Sequence, residues 1–428
     1  MMGPMPRLGR LALTALCAAG LAAGVTAPGA HAGGAGPDDP AYHDGLQWGL
    51  AQIGAPAAWA RSKGAGVTIA VVDSGVDLEH DELRDQLVGD VSCIGAAGDP
   101  DACRGSGQDD SGHGTHVAGI AAAEAGNGSG ISGVAPDADL LAVRVLAAAG
   151  CADRGACSPT GAAADVAAGM RWAVRHSADV INLSLGGALA RDGACVVCDA
   201  VEWAWARGVI TVVAAGRDAP VPPELAGGHA VLVTATTRAD ALASYAGGDA
   251  LRGARWAVAA PGGETEVDRD DCATGGEPQG VLSTYWVPRG SDGYACQAGT
   301  SMAAPHVSGA LAALLTQGRS PLAAIERLVG TAHDVGPVGR VDLGRAVGDE
   351  PVGASNTPSA DGLAPPASAL AEPLAPTPFV PEPAADDGLP RAPLLALAVG
   401  LIVAGAIVRR RVRFHDDASP PDPPQARQ

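Results

Sequence analysis

Aromatic residues and lysine are nearly missing from this chain. Only Phe379 and Phe414 are phenylalanine, Lys63 is the single lysine, and aromatics make up 3% of 428 residues. A core almost without phenylalanine must rest on Val, Leu, Ile, Ala and a few Trp. Basic charge is also short: 28 Lys and Arg stand against 47 Asp and Glu, a formal net charge of −19. That balance argues against a nucleic-acid partner. The abundance of Ala, Gly and Arg reflects a GC-rich genome rather than a function. Apolar content is not lacking. With 47% hydrophobic and 18% charged residues, the composition excludes a disordered chain. The length allows one large domain or two to three smaller ones.

Two long apolar runs stand near the ends. Arg7 and Arg10 precede Leu11 to Val25, and small residues follow to Ala30-His31-Ala32. A basic start, an apolar run and an A-x-A site predict a signal peptide over 1–32. An uncleaved anchor is the alternative. The second run, within 391–408, is uncharged from Ala392 to Val408 and is followed by Arg409, Arg410, Arg411 and Arg413. It predicts a single membrane span with a cytoplasmic tail over 409–428 and the rest of the chain outside. A buried core helix is the other reading, but no domain remains around the run to bury it. Residues 349–390 are rich in Pro, Ala and acids and read as an extended linker. That leaves a short N-terminal extension over 33–52 and one domain over 53–348. Because much of the basic charge sits at the ends, the outside portion is more acidic than the whole.

Nine cysteines is an odd count. Cys17 lies in the predicted signal peptide and would be lost with it. Eight remain, which in an exported chain suggests disulfides. Sequence alone leaves their connectivity open. The simplest scheme joins neighbours: Cys93–Cys103, Cys151–Cys157, Cys195–Cys198 and Cys272–Cys296. Zinc is disfavoured, since Cys195 and Cys198 form a lone C-x-x-C with no second pair at ribbon spacing. Nor do its surroundings supply thioredoxin-like chemistry.

Short β-branched runs alternate with helical patterns. Val67 to Val72, Leu140 to Leu146, Val180 to Leu185, Val209 to Ala214 and Ala230 to Thr234 read as strands buried on both faces. Gly161 to His176 and Cys198 to Arg207 read as helices. The alternation predicts an α/β fold, a mostly parallel sheet with helices on both faces. Such sheets place their sites at the carboxyl ends of the strands.

Three motifs stand where that rule wants them. Asp73-Ser74-Gly75 follows the first strand; taken alone, Asp73 reads as a turn residue. His113-Gly114-Thr115-His116 opens a run of small residues, so an imidazole could project from a closely packed helix. Either histidine could instead be a buried structural one. Gly299-Thr300-Ser301-Met302-Ala303-Ala304-Pro305-His306 leads into an apolar helix, Val307 to Leu315. A serine there meets the free N–H groups and dipole of a helix start, which can stabilise an oxyanion. Thr300 or Ser301 could equally be an N-cap. Pro305 is expected in the first turn, where a missing N–H is tolerated. Together Asp73, His113 and Ser301 offer an orienting acid, a base and a nucleophile.

These three motifs resemble those of subtilisin-like serine peptidases, whose triad runs Asp, His, Ser along the chain. The resemblance covers most of residues 48–346 and implies that family's three-layer fold and a polypeptide substrate. It implies that Ser301 attacks the scissile carbonyl, His113 relays the proton and Asp73 orients the imidazole. His116 and His306 are then structural. Ser184, Leu185 and Gly186 resemble the edge segment that pairs with a substrate backbone. Ala214, Ala215 and Gly216 resemble a pocket wall. The family follows that wall with an oxyanion-binding Asn, where this chain has Arg217, so weakened catalysis is expected. No cofactor is required. Structural calcium is a possible ion, with oxygen-rich loops at Asp99 to Asp110 and Gly126 to Ser129. The insertion Gly262 to Cys296 either shapes substrate access or is decoration. The order of segments resembles the mycosins, membrane-anchored proteases of type VII secretion. That resemblance implies a cell-membrane location, an extracytoplasmic catalytic domain and contact with a secretion complex. A scaffold or cap with degraded catalysis is the competing reading.

Overall fold

Strands whose neighbouring residues enter opposite cores form the centre of the molecule. The computed structural model describes residues 36–148, 159–185, 195–216, 221–246, 251, 253–264, 279–288 and 293–348. Its strands are β1 (Thr68–Asp73), β2 (Leu87–Ser92), β3 (Asp139–Arg144), β4 (Val180–Leu183), β5 (Ile210–Ala214), β6 (Ala230–Thr236), β7 (Trp256–Pro261), β8 (Val281–Tyr285), β9 (Gly293–Gln297), β10 (His333–Asp334) and β11 (Gly339–Arg340). Its helices are α1 (Pro40–His43), α2 (Trp48–Gln52), α3 (Ala55–Ala58), α4 (His113–Ala122), α5 (Ala163–Arg175), α6 (Val196–Trp205), α7 (Pro223–Gly227), α8 (Thr300–Leu315), α9 (Pro321–Gly330) and α10 (Leu343–Ala346).

Nine strands make one sheet in the order β10-β11-β7-β6-β5-β4-β1-β3-β2. Every neighbouring pair is parallel except β10 and β11. The period-two geometry of a strand divides its side chains between two cores. Ile69 and Val71 of β1 face a core that includes Val117 of α4 and Leu311 of α8. Ala70 and Val72 face one that includes Met170 of α5 and Val201 of α6. This is the helix-on-both-faces architecture expected from the alternation.

The chain leaves β1 toward β3 on one side and later adds β4 on the other, so the strand order switches direction around β1. The crevice at such a switch is where α/β sheets carry their sites. Two boundaries differ from the sequence reading for local reasons. The third strand ends at Arg144 because Val145 N–H and Leu146 N–H both donate to the Asp73 carbonyl. Helix α6 starts two residues early because Cys195 Sγ accepts from Cys198 N–H at 3.2 Å, serving as its cap.

Described residues 36–52 pack into the domain. Asp39 accepts from Gly126 N–H and Asn127 N–H, and Trp48 Nε1 donates to the Gly280 carbonyl at 2.9 Å. Disulfides join Cys93 to Cys103 and Cys195 to Cys198. Cys296 is disulfide-bonded as well; its expected partner Cys272, and Cys151 and Cys157, lie outside the described residues. So do the predicted signal peptide, linker, span and tail. Among the described residues no helix is long and apolar enough to cross a membrane.

The insertion is not decoration. Its described residues include the antiparallel hairpin β8–β9, which is bonded to α4 from both strands. His116 Nε2–H is shared between the Val281 and Ala295 carbonyls at 3.1 and 3.0 Å. Ser283 Oγ donates to the His116 carbonyl at 2.8 Å, and Thr284 Oγ1 to the Thr115 carbonyl at 2.7 Å.

Candidate active site

Asp73 ends β1 and is fully buried. The next residues turn sharply, with Gly75 at φ +106°. A side chain at Gly75 would also meet the Gly107 carbonyl at 2.4 Å, and a Cβ on Gly114 would lie 2.0 Å from the Gly75 carbonyl. Two glycines therefore let the Asp73 turn and the start of α4 touch backbone to backbone. That contact brings His113, the first residue of α4, beside Asp73. His113 Nδ1–H donates to Asp73 Oδ1 at 2.7 Å, and Ser74 N–H donates to the same oxygen at 2.7 Å. With Nδ1 so engaged, Nε2 is left as the acceptor. Burial works against a charged imidazole. The charge and hydrogen bond of Asp73, with a further contribution from Asp109, outweigh it, so the His113 pKa lies above the ordinary value of 6.5.

Ser301 is the second residue of α8, and Gly299 is the N-cap. Every other residue of this helix except Leu315 is buried, so Ser301 is its one partly open position near the start. Its N–H lies in the first turn, where no intrahelical acceptor exists. Pro305 is not in that turn, contrary to expectation; it lies inside the helix. Residue 305 would normally donate its N–H to the carbonyl of residue 301, and proline has none to give. The freed Ser301 carbonyl instead accepts from Ser184 Oγ at 2.8 Å. Ser184 Oγ in turn accepts from Asn182 Nδ2 at 2.9 Å, and Ser308 Oγ donates to Asn182 Oδ1 at 2.8 Å. A buried polar chain thus ties the end of β4 to α8. The Ser301 hydroxyl donates to the Ser184 carbonyl at 3.0 Å. Among the described residues no hydrogen bond joins Ser301 to His113; catalytic hydrogen bonds often tighten only when substrate is bound.

The remaining expected residues divide. Ser184 meets Ser301 as described. The Leu185 side chain is 7% exposed and belongs to the second core, so only its backbone can serve a substrate. Ala214 is buried at the end of β5, and Gly216 N–H donates to Thr300 Oγ1 at 3.0 Å, fixing this wall against the start of α8. Gly186 and Arg217 lie outside the described residues. His116 and His306 are buried and structural. Burial pushes their pKa values down to about 3 and about 4. His306 Nδ1–H donates to the Met302 carbonyl at 2.9 Å.

At both loops expected to offer calcium ligands, carboxylates are engaged within the chain. Asp99 accepts from Asp101 N–H, Asp101 pairs with Arg175, and Asp110 pairs with Arg144. In the other loop, Gly126 and Asn127 donate their N–H groups to Asp39, and Gly128 donates its own to Asp38. Among the described residues no group of three or more His, Cys, Asp or Glu could hold a metal.

One site residue escaped the sequence reading. Asp109, 1% exposed, accepts at both oxygens from the two segments that carry Asp73 and His113. Its position four residues before His113 was the available signal, but an acid in an acidic loop is ordinarily just solvated.

A parallel α/β sheet with a histidine bonded to a buried aspartate at its switch point, and a partly open serine at the start of a helix packed against the histidine's helix, is a serine-hydrolase type of site. The model of the subtilase family (Peptidase_S8) matches residues 64–339. Thermitase of Thermoactinomyces vulgaris is 36% identical over 319 residues, covering 73% of this chain and 99% of the relative. Subtilisin E of Bacillus subtilis is 33% identical over 277 residues, 64% of this chain and 62% of the relative. A solved protease from Pseudoalteromonas arctica matches with a TM-score of 0.58 and 29% identity, covering 73% of this chain and 98% of that one. The chain belongs to the subtilase family of serine peptidases.

Proposed function

We propose that this chain is an extracytoplasmic serine endopeptidase whose triad is Asp73, His113 and Ser301. Ser301 Oγ attacks the scissile carbonyl while His113 Nε2 takes its proton. His113 then gives that proton to the leaving amine, and water attacks the acyl-enzyme with His113 again as base. Asp73 holds the imidazole in the Nδ1–H tautomer and stabilises its charged form. The Ser301 N–H donates to the oxyanion, and Arg217 stands where the family has its oxyanion-binding Asn, so turnover is slowed. The observation that carries this reading is the 2.7 Å bond between His113 and buried Asp73, within a chain of the subtilase family. The test is cleavage of a peptide library by the wild type and by Ser301→Ala. Products that vanish in the variant are expected; equal cleavage by both would refute it.

We further propose that the protease is exported, tethered by 391–408 and associated with a type VII secretion complex. The order of segments in the sequence supports this part. Membrane fractionation and pull-down of the intact chain test it. Recovery in the soluble fraction, or alone under conditions that retain membrane complexes, would count against it.

A scaffold with weakened catalysis is the second reading, favoured by Arg217 and by the Ser301 hydroxyl being engaged with Ser184. A fluorophosphonate reacting with Ser301 as fast as with other serine peptidases would remove it.

A further inference from the structure

We propose that Asp109 is a positioning residue that locks Asp73 and His113 into one rigid unit and adds its charge to the field on His113. This rests on the triad reading above.

Four donors converge on the Asp109 carboxylate. Oδ1 accepts from Ser74 Oγ at 2.9 Å and Ser111 N–H at 2.9 Å. Oδ2 accepts from Thr115 N–H at 3.0 Å and Thr115 Oγ1 at 2.5 Å. Ser74 Oγ also accepts from Gly114 N–H, and Thr115 Oγ1 from Asp77 N–H, so each hydroxyl links Asp109 to a further segment while donating to it. Burial outweighs the hydrogen bonds that pull it back, so the Asp109 pKa lies above the ordinary carboxylate value of 3.8. Two N–H groups and two hydroxyls aimed at its oxygens favour the ionised form.

The bonded segments are those of the pair. Ser74 is the neighbour of Asp73 and donates its own N–H to Asp73 Oδ1. Thr115 and Gly114 follow His113 in the first turn of α4. Ser74 Oγ therefore bridges from Asp109 to the His113 helix while its backbone supports Asp73. The other Asp73 oxygen, Oδ2, is buried without a hydrogen-bond partner among the described residues. The His113–Asp73 contact thus depends on the scaffold around it rather than on a fully bonded Asp73.

Two charged groups act on His113. Asp73 at the end of β1 and Asp109 from the loop before α4 favour its charged form, and burial keeps His116 of α4 neutral. Asp110 in the same loop is paired with Arg144 of β3.

The test compares full-length wild type, Asp109→Asn, Ser74→Ala and Thr115→Ser. Fluorophosphonate titration counts competent sites; kcat, KM and the pH dependence of kcat/KM on a peptide are then measured per site. Asn presents an amide to donors that need an acceptor. Asp109→Asn is expected to lower kcat per site about 10–100-fold, leave KM within about threefold and move the acid limb down by about half a pH unit or more. Ser74→Ala, which keeps the charge, is expected to lower kcat with a smaller shift. Thr115→Ser, which keeps the hydroxyl, is expected to match the wild type. Unchanged kcat and acid limb per site in Asp109→Asn, or a loss seen only as fewer titratable sites, would overturn the proposal. If Asp109→Asn gives no sites at all, Ser74→Ala decides by the same kcat criterion. No labelling of the wild type would refute the triad reading itself.

Discussion

Replacing Ser184 by Ala removes the hydroxyl that satisfies the Ser301 carbonyl, and the cost depends on Pro305. Two buried groups lose their partners: the Ser301 carbonyl, at 2.8 Å from Ser184 Oγ, and Asn182 Nδ2, at 2.9 Å. Leaving a buried polar group unpaired costs about 1–3 kcal/mol, so the variant should lose roughly 2–6 kcal/mol. Pro305→Ala supplies an N–H that can donate to the Ser301 carbonyl in the regular helical pattern. In that background Ser184→Ala should cost only about 1–3 kcal/mol, because Asn182 alone is then unsatisfied. The double-mutant coupling should therefore be about 1 kcal/mol or more. All four chains would carry Ser301→Ala to prevent self-digestion, which leaves the 301 backbone in place. Denaturant melts give the four stabilities. Additivity within about 0.3–0.5 kcal/mol would refute the idea that Ser184 replaces the N–H that proline lacks.

Further outcomes are expected. Burial holds His116 near 3 and His306 near 4, so the unfolded chain binds more protons below the ordinary value of 6.5. Stability should fall as pH drops, by about 2 kcal/mol per residue at pH 5. His113, with a raised pKa, acts oppositely: its contribution is complete below 6.5 and fades as pH rises through its folded pKa. Melts on Ser301→Ala between pH 8 and 5 check this, and a smaller pH slope in His116→Gln is the signature. The acid limb of kcat/KM should lie above 6.5 in the wild type, and activity in Asp73→Asn should fall by about 10⁴. Gly114→Ala places a Cβ 2.0 Å from the Gly75 carbonyl, and kcat should drop about 10²-fold. Arg217→Asn should raise kcat on a peptide substrate by about tenfold or more, since one oxyanion donor is worth about 10²–10³; an unchanged rate would mean Arg217 already serves.

Central strands were legible because both their faces are buried, which leaves uninterrupted runs such as Val67 to Val72. The edge strand β2 was not, since Val88 is 58% exposed and Asp90 interrupts the pattern. The β8–β9 hairpin was hidden in the segment read as an insertion. Its Ser283 and Thr284 look like loop residues, yet both are spent on carbonyls of α4. The proposed triad rests on short motifs with fixed order, of which the structure joins Asp73 and His113 by a hydrogen bond. The support beneath them was not legible. Asp109 and the Asn182–Ser184–Ser308 chain are ordinary polar residues until the fold brings their partners together. The place of Pro305 within α8 also required the helix start at Thr300, two residues before any apolar pattern begins.

The most direct measurement of the central claim is the site of covalent attack. The intact protein is treated with a fluorophosphonate at neutral pH, digested and mapped by mass spectrometry, beside Ser301→Ala and Asp73→Asn. A single adduct on Ser301, absent from Ser301→Ala and slowed by about 10⁴ in Asp73→Asn, is the predicted result. An adduct on another serine, or no adduct on folded wild type, would contradict the account.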